Sequence, residues 1–472
     1  MQKILGIIGK NRRGVTTLLV IAFMGIFFII LGTLTSYVLQ EGRYGRAIAA
    51  RESALHIAES GLEYYRWYLA HNPNDLTNGT GSPGPYTYTV TDPETNETLG
   101  SAAVTINGNT QCGVVQSIDI TSKGTSDLDH GYPRTLIAHY MQPSVAGYSY
   151  LLNSNVWAGP TRTITGPYFS NGGIRMDGTN YSDVSSKYDT WTCDSGSGCP
   201  STQNGVFGAG SGSALWHNKA ASIDFNGITA NLSNLKGYAK NNGGIYLAPA
   251  GSTSTNMVQH GYHLIFKSDG TFDVYKVTAT NQTSGTSPSG SAPIDSYDRI
   301  KTQSFVANYT IPPSCSVIFV EDRVWVEGVV GKKVTVASAD FSNLSDLTTA
   351  WLPNNITYNT YDGSVGLTVI ASGDVLLPSN SPDIMEIHGI FIAQNGSYGR
   401  ANYSGNVRSQ LTTIGTVVSN QRTGTAWING SGTTVSGYQT RIDSYDQLQA
   451  TNPPPFTPTA SVGYKFISWR EQ

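Results

Sequence analysis

Between Val15 and Leu39 the chain runs twenty-five residues without a charged side chain. At about 1.5 Å per residue, a helix of that length crosses the roughly 30 Å hydrocarbon core of a bilayer. Its fifteen Leu, Ile, Phe and Val residues, at roughly −0.3 to −0.6 kcal/mol each, favour insertion by about 5 to 9 kcal/mol. A cleaved secretory signal has a shorter apolar segment, of about 7 to 15 residues, ending in an Ala-x-Ala-like site. Neither is present. Lys3, Lys10, Arg12 and Arg13 precede the span without an acid, which points the amino terminus to the cytoplasm, while Arg43, Arg46 and Arg51 beyond it reduce that bias.

The helical signal outlasts the apolar run. Leu55, Ala58, Leu62, Tyr65 and Leu69 recur at intervals of three and four until Asn72-Pro73-Asn74, the stripe of an amphipathic helix stopped by proline. A single helix from about residue 15 to 71 would be roughly 85 Å long. The first half is a membrane anchor, and the second needs a soluble surface to cover its stripe.

The order Arg12-Arg13-Gly14, then Val15-Thr16-Thr17-Leu18-Leu19, then Ala54-Leu55-His56-Ile57-Ala58-Glu59-Ser60-Gly61-Leu62-Glu63 resembles the amino terminus of type IV pilins and pseudopilins. Within them it is most similar to large minor pilins, whose helix carries a similar Ala-Glu-x-Gly-Leu segment. The resemblance implies a leader, 1–14, cut by a prepilin peptidase between Gly14 and Val15, with methylation of the new Val15 amine. It implies a transmembrane and amphipathic helix over 15–72, and other pilins as partners through that helix. Most major pilins carry a Glu five residues after the cut, paired with a neighbouring subunit's amine, where this chain has Leu19. An unpaired carboxylate in hydrocarbon costs several kcal/mol, so a subunit with no neighbour above it gains by lacking one. Leu19 therefore favours a tip or initiating position over a bulk one.

The other four hundred residues read as β structure. Charged residues are only 13%, while there are 52 Gly and 27 Tyr, a composition of short strands and tight turns. Strands are expected at Tyr86–Val90, Ala103–Ile106, Val114–Ile120 and Arg134–Tyr140, with turns at Asn107-Gly108-Asn109 and Lys123-Gly124. They make an antiparallel head, 73–143, for the helix stripe. A hairpin follows at Tyr262–Val277 around Ser268-Asp269-Gly270, and Ile228–Lys240 reads as a short helix with Leu232, Leu235 and Ala239 on one side. Ile164-Thr165-Gly166, Ile387-His388-Gly389 and Ile414-Gly415 are each followed by a small residue and an amide, Ser170-Asn171, Ala393-Gln394 and Ser419-Asn420. Val326-Glu327-Gly328 shares only the opening. Such repeats suit a β-solenoid, whose coils bury their apolar rows on each other, and the amides could form a ladder at one turn. The irregular period leaves a β-sandwich as the alternative. The fold class is thus α+β, mainly β: long helix, small antiparallel sheet, a solenoid-like domain over 144–450 and a Pro-rich tail over 451–472.

With 29 basic against 32 acidic residues and no basic tract beyond the amino terminus, nucleic acid is not an expected partner. Cys193 and Cys199 flank Asp-Ser-Gly-Ser-Gly, a spacer that lets the sulfurs meet in an oxidising compartment, whereas nothing in the sequence brings Cys112 to Cys315. No metal, cofactor or catalytic motif stands out. Asp295, Asp298, Glu321, Asp322, Asp383 and Glu386 read as exposed acids on turns rather than an acid and base pair for glycan cleavage. His263 and His388 lie within strand patterns, and Tyr148, Tyr150 and Trp157 suit packing more than sugar stacking. The expected protein is a non-enzymatic minor pilin-like subunit, single-pass in the cytoplasmic membrane, with its head in the periplasm or outside the cell. A membrane-anchored adhesin for glycan or protein is one alternative, and a tethered polysaccharide-active enzyme another.

Overall fold

The computed structural model describes residues 12–72, 75–82, 84–194, 197–199, 201–228, 230–250, 261–281, 283–289, 297–341, 347–461 and 463–472. Two compact units emerge. One holds residues up to Asn107, Asp119–His139 and Trp469–Gln472, and the other holds Gly108–Ile118 and Tyr140–Ser468.

In the first unit a 60-residue helix, α1 (Arg12–His71), ends just before Asn72-Pro73. From Gly14 to Arg46 its residues are exposed, and burial begins at Ala50. Ala50, Ala54, Ile57, Ala58, Leu62, Tyr65 and Leu69 are then buried. The stripe enters through Ala54 rather than Leu55, which is half-buried. Strands β1 (Tyr86–Thr91), β2 (Thr98–Gln111), β3 (Val114–Ser126) and β4 (Arg134–Met141) form the sheet that continues to Lys465–Glu471. That last strand comes from the segment read as a Pro-rich tail, and Gln472 N donates to Thr135 O at 3.0 Å.

Two expected turns are strand interior. Asn107-Gly108-Asn109 lies within β2 and Lys123-Gly124 within β3; the chain reverses instead at Cys112-Gly113, both at positive φ, as a two-residue hairpin loop of the right twist requires. Gly124 serves packing. A Cβ there would lie 2.0 Å from Ala54 O, and one on Gly61 would lie 2.4 Å from Ser122 Oγ, so both glycines let α1 settle directly on the sheet.

The second unit is built from parallel ladders. In the first ladder, Leu247, Val320, Ser338, Ala371, Ala393, Ser419, Leu152, Ser170 and Ser186 follow one another in register. A second ladder joins Gly328, Ile356, Ile387, Thr413, Asp443, Ile164 and Asn180. A third runs through Tyr262–Phe266, Val324–Val330, Ala350–Trp351, Val375–Leu377 and Tyr398–Arg400. These registers describe stacked coils rather than the antiparallel pairing of a sandwich. The hairpin at Tyr262–Phe266 and Thr271–Asn281 forms as read, with Leu264 opposite Val274.

The stacking order is not the chain order. After Trp216–His217 the chain returns through the helix Leu232–Asn241 to Ile245–Leu247, at the far end of the ladders. It then climbs back until Val417 meets Tyr150 and Arg441 meets Arg162. The helix, capped by Asn231, buries the expected Leu232, Leu235 and Ala239. They join Phe319, Ala337, Ile370, Ile392, Val418, Leu151 and Phe169, so the first ladder is buried on both faces, as parallel strands require.

The repeat read from the sequence marks one corner. Gly389 and Gly415 are in register, and the amides that follow do form a ladder: Asn171 Nδ2 donates to Asn153 Oδ1 and Asn153 Nδ2 to Asn420 Oδ1, each at 2.8 Å. Asn420 Nδ2 reaches Gln394 O at 3.1 Å. Gly415 has φ +134, and a Cβ there would lie 2.0 Å from Gly389 O. Gly415→Ala should therefore lower the stability of the coil stack by about 3 kcal/mol, read as an earlier denaturant midpoint. Gly430→Ala, which meets nothing within 4 Å, should change it by less than about 0.5 kcal/mol.

Candidate functional sites on the helix and the coil stack

The exposed half of α1 is apolar on every side. Leu18, Phe23, Phe28 and Ile29 are each more than 60% exposed, and an all-round apolar helix calls for an apolar solvent. α1 is long and apolar enough to cross a membrane. Two of its hydroxyls are satisfied within the helix, Thr33 Oγ1 donating to Ile30 O at 2.9 Å and Thr35 Oγ1 to Leu31 O at 2.8 Å, as hydrocarbon demands. Gly14, Val15 and Leu19 lie on this exposed helix. Residues 1–11 of the expected leader lie outside the described residues.

All four cysteines are paired. Cys193 bonds to Cys199 beside the antiparallel pair Thr190–Cys193 and Ser201–Asn204. Cys112 bonds to Cys315, 203 residues away in sequence. Around it, Cys112 N donates to Ser314 O at 2.7 Å, Ser316 N to Gln111 Oε1 at 3.0 Å and Asn242 Nδ2 to Cys112 O at 3.1 Å.

The acids differ from the exposed set that was expected. Asp298, Glu321 and Asp322 are buried, and Asp295 lies outside the described residues. Glu321 accepts from Lys236 Nζ at 2.5 Å and from Tyr246, and Asp322 caps the amides of Ala250 and Arg323. Asp298 Oδ2 accepts from Ser379 N and Oγ. Asp383 takes two bonds from Ser409, which hold its carboxyl below the usual range. Glu386 bonds His388 Nε2 at 2.5 Å. His263 is satisfied by Gln303 at 2.8 Å and Glu327 at 2.9 Å. Asp298, Glu327 and His263 line one polar hollow with Trp325, Asn354 and Asn380, which places a candidate acid in the same hollow as another carboxylate. Among the described residues no three of His, Cys, Asp and Glu gather as metal ligands.

A second hollow carries the opposite charge. Where the carboxyl-terminal coil meets the amino-terminal one, two ladders are continuous, but the third is not: Val156–Ala158, Ile174–Met176 and Val206–Phe207 form their own sheet. The gap is lined by Trp157, Arg162, Arg422, Trp427 and Arg441, with no carboxylate among its lining residues. Arg441 and Arg162 are adjacent in register and follow Met385 and Leu411, so they occupy positions that are apolar one coil earlier. Arg162 Nε donates to Asp443 Oδ2 at 2.6 Å, Tyr150 OH to Asp443 Oδ1 at 2.9 Å, and the Arg162 guanidinium lies 4.2 Å from the Tyr150 ring centre. Burial disfavours the charge on Arg162, but Asp443 together with Tyr150 and Tyr168 more than offsets it and raises its pKa. Arg441 has no such partner. Its Nη2 donates to Thr161 Oγ1 at 2.8 Å, its buried Nε donates to nothing, and burial, then the neighbouring Arg162 charge, push it down to about 10. Of the aromatic residues read as candidates, Tyr150 is core, Tyr148 packs on Phe169 and Trp157 lines this hollow. Arg162, Asp443 and Arg441 went unread because nothing local in the sequence distinguishes them.

Removing one member of the buried pair, as in Arg162→Leu, should cost about 3–5 kcal/mol, and Arg162→Leu with Asp443→Leu should recover most of that loss, measured by denaturant unfolding of both variants.

No family model matches this chain, and no curated protein does. Among solved structures, the competence-associated pilin ComZ from Thermus thermophilus matches over 90% of this chain and 97% of its own, at 12% identity and a TM-score of 0.30. A likeness at that score carries nothing over to this chain.

Proposed function

We propose that this chain is a non-enzymatic subunit of a type IV pilus or related filament, anchored by α1 and carrying its coil stack as a displayed domain. One observation supports this above the rest: a single helix whose first half is apolar on all sides and whose second half is buried on an antiparallel sheet of its own unit. The first half suits lipid and, once assembled, the apolar interior of a helical filament. The second fixes a folded body to it without a linker. Gly61, in the Ala58-Glu59-Ser60-Gly61-Leu62 segment, has a packing reason to be glycine. Cleavage between Gly14 and Val15 by a prepilin peptidase and methylation of Val15 belong to the same proposal. So does a place at or near the tip, supported by Leu19, which contributes no carboxylate that a neighbour must neutralise.

Mass spectrometry of the native amino terminus should find N-methylated Val15. An intact Met1, or a cut carboxyl-side of Leu39, would remove the pilin reading. Leu19→Glu should reduce incorporation into filaments severalfold, scored by immunoblot of sheared filaments; unchanged or improved incorporation would remove the tip placement alone.

A further inference from the structure

The polar hollow beside the third ladder is built from two successive coils and the antiparallel meander packed on them. Trp351 and Leu376 are in register, and the chain leaves their strands through Pro353-Asn354 in one coil and Asn380 to Pro382 in the next. The meander joins Tyr262–Phe266, Thr271–Asn281 and Arg299–Thr310, and its Val277 and Ile300 pack on Trp325, Trp351 and Leu376. The hollow between them has a volume of about 300 Å³, at the lower end of the roughly 300–1,000 Å³ of small-ligand clefts. Asn354 and Asn380 are exposed at its rim, so a ligand can enter.

Its two carboxylates have different tasks. Asp298 is fully buried and committed to the fold: Oδ2 accepts from Ser379 N at 2.7 Å and Ser379 Oγ at 2.6 Å, Oδ1 lies 3.9 Å from Arg299 Nε, and the Asp298 carbonyl accepts from Trp325 Nε1 at 3.0 Å. It thereby fixes the residue before Asn380 and the indole that lines the hollow. Glu327 is half-buried. Its Oε1 bonds His263 Nε2 at 2.9 Å, and the other ring nitrogen of that histidine meets Gln303 Oε1 at 2.8 Å, so the Glu327 side chain is anchored. A carboxylate has about four acceptor positions, and Glu327 meets one partner among the described residues. Asn354 Oδ1 accepts from Asn355 N at 2.9 Å, which leaves its amide hydrogens to donate, and Asn380 adds a second amide one coil on.

From this arrangement we infer that the hollow binds a neutral saccharide residue, with Glu327 accepting from its hydroxyls, Asn354 and Asn380 donating to them, and Pro353, Pro382 and Ile300 supplying apolar wall. A hydroxyl both donates and accepts, so a ring that carries several of them matches one carboxylate set among amides. A ligand with its own carboxylate or phosphate would be repelled by Glu327, and a cation would find that carboxylate already held by His263. Cleavage is not expected, because Asp298 is occupied by Ser379 and is not free to serve with Glu327 as an acid and base pair. The inference does not rest on the pilin reading, since a chain with an uncleaved Met1 would present the same hollow.

The test uses the full chain purified in a detergent without a sugar headgroup. It is titrated with neutral oligomers of glucose, mannose, galactose and N-acetylglucosamine, with polygalacturonate oligomers as the acidic comparison and glucosamine oligomers as the cationic one. Saturable binding of at least one neutral series, tenfold or more tighter than either charged series and little changed by salt, is expected. Glu327→Gln should weaken it tenfold or more, and Asn354→Ala and Asn380→Ala severalfold each. If Glu327→Gln fails to fold, as judged by circular dichroism, the two exposed asparagine variants decide the matter. The inference is overturned by no binding of any neutral series, by equal or tighter binding of a charged one, by new reducing ends released from the bound oligomer, or by folded variants that bind as the parent does.

Discussion

A parallel coil cannot satisfy its own edges, and every feature of the second unit follows from that. Each strand leaves donors and acceptors on both sides and an apolar row that its own coil cannot cover. The chain meets this demand by register: an unbroken column runs from Leu247 to Ser186 through residues far apart in sequence. The demand is sharpest where Val417–Ser419 meets Tyr150–Leu152. There the stack joins two segments that no local signal ties together, and there the ion pair Arg162–Asp443 and the amide ladder Asn420–Asn153–Asn171 lie. Charges in an otherwise apolar interior column are satisfied only when these two coils meet in this register, which ties the polar groups to specificity of assembly rather than to gross stability.

The parts of the fold legible in the sequence were those governed by local physics. The uncharged run follows from local composition, and the stripe from Ala58 to Leu69, the Tyr262–Val277 hairpin and the helix around Leu235 each follow from patterns over fewer than twenty residues. The Gly389 and Gly415 repeat was legible because a corner without room for a Cβ admits one residue type. Glycines elsewhere misled. Gly108 and Gly124 read as turns, yet they sit in long strands, and Gly124 is glycine because the Ala54 carbonyl of α1 lies against it. Composition reports that a position must be small but not whether a turn or a neighbour requires it.

Long-range placement was illegible for the same reason. Cys112 and Cys315 meet only because the Cys112-Gly113 turn is held by Ser314, Ser316 and Asn242. Asp298, Glu321 and Asp322 read as exposed turn acids and proved buried because Ser379, Lys236, Tyr246 and two backbone amides surround them. The cationic hollow was hidden most thoroughly. It consists of a missing strand pairing between distant coils, and a gap of that kind has no residue signature.

The threading of the stack bears on how the molecule comes into being. Synthesis delivers Arg162 well before Asp443, its counterion 281 residues further on. The coils nearest the amino terminus are thus emitted first, yet they rest on ones emitted last. Until those arrive, a guanidinium meant for an interior column faces water and a strand edge stays open. Such a chain reaches its native state after the ribosome has released it rather than piece by piece as it emerges.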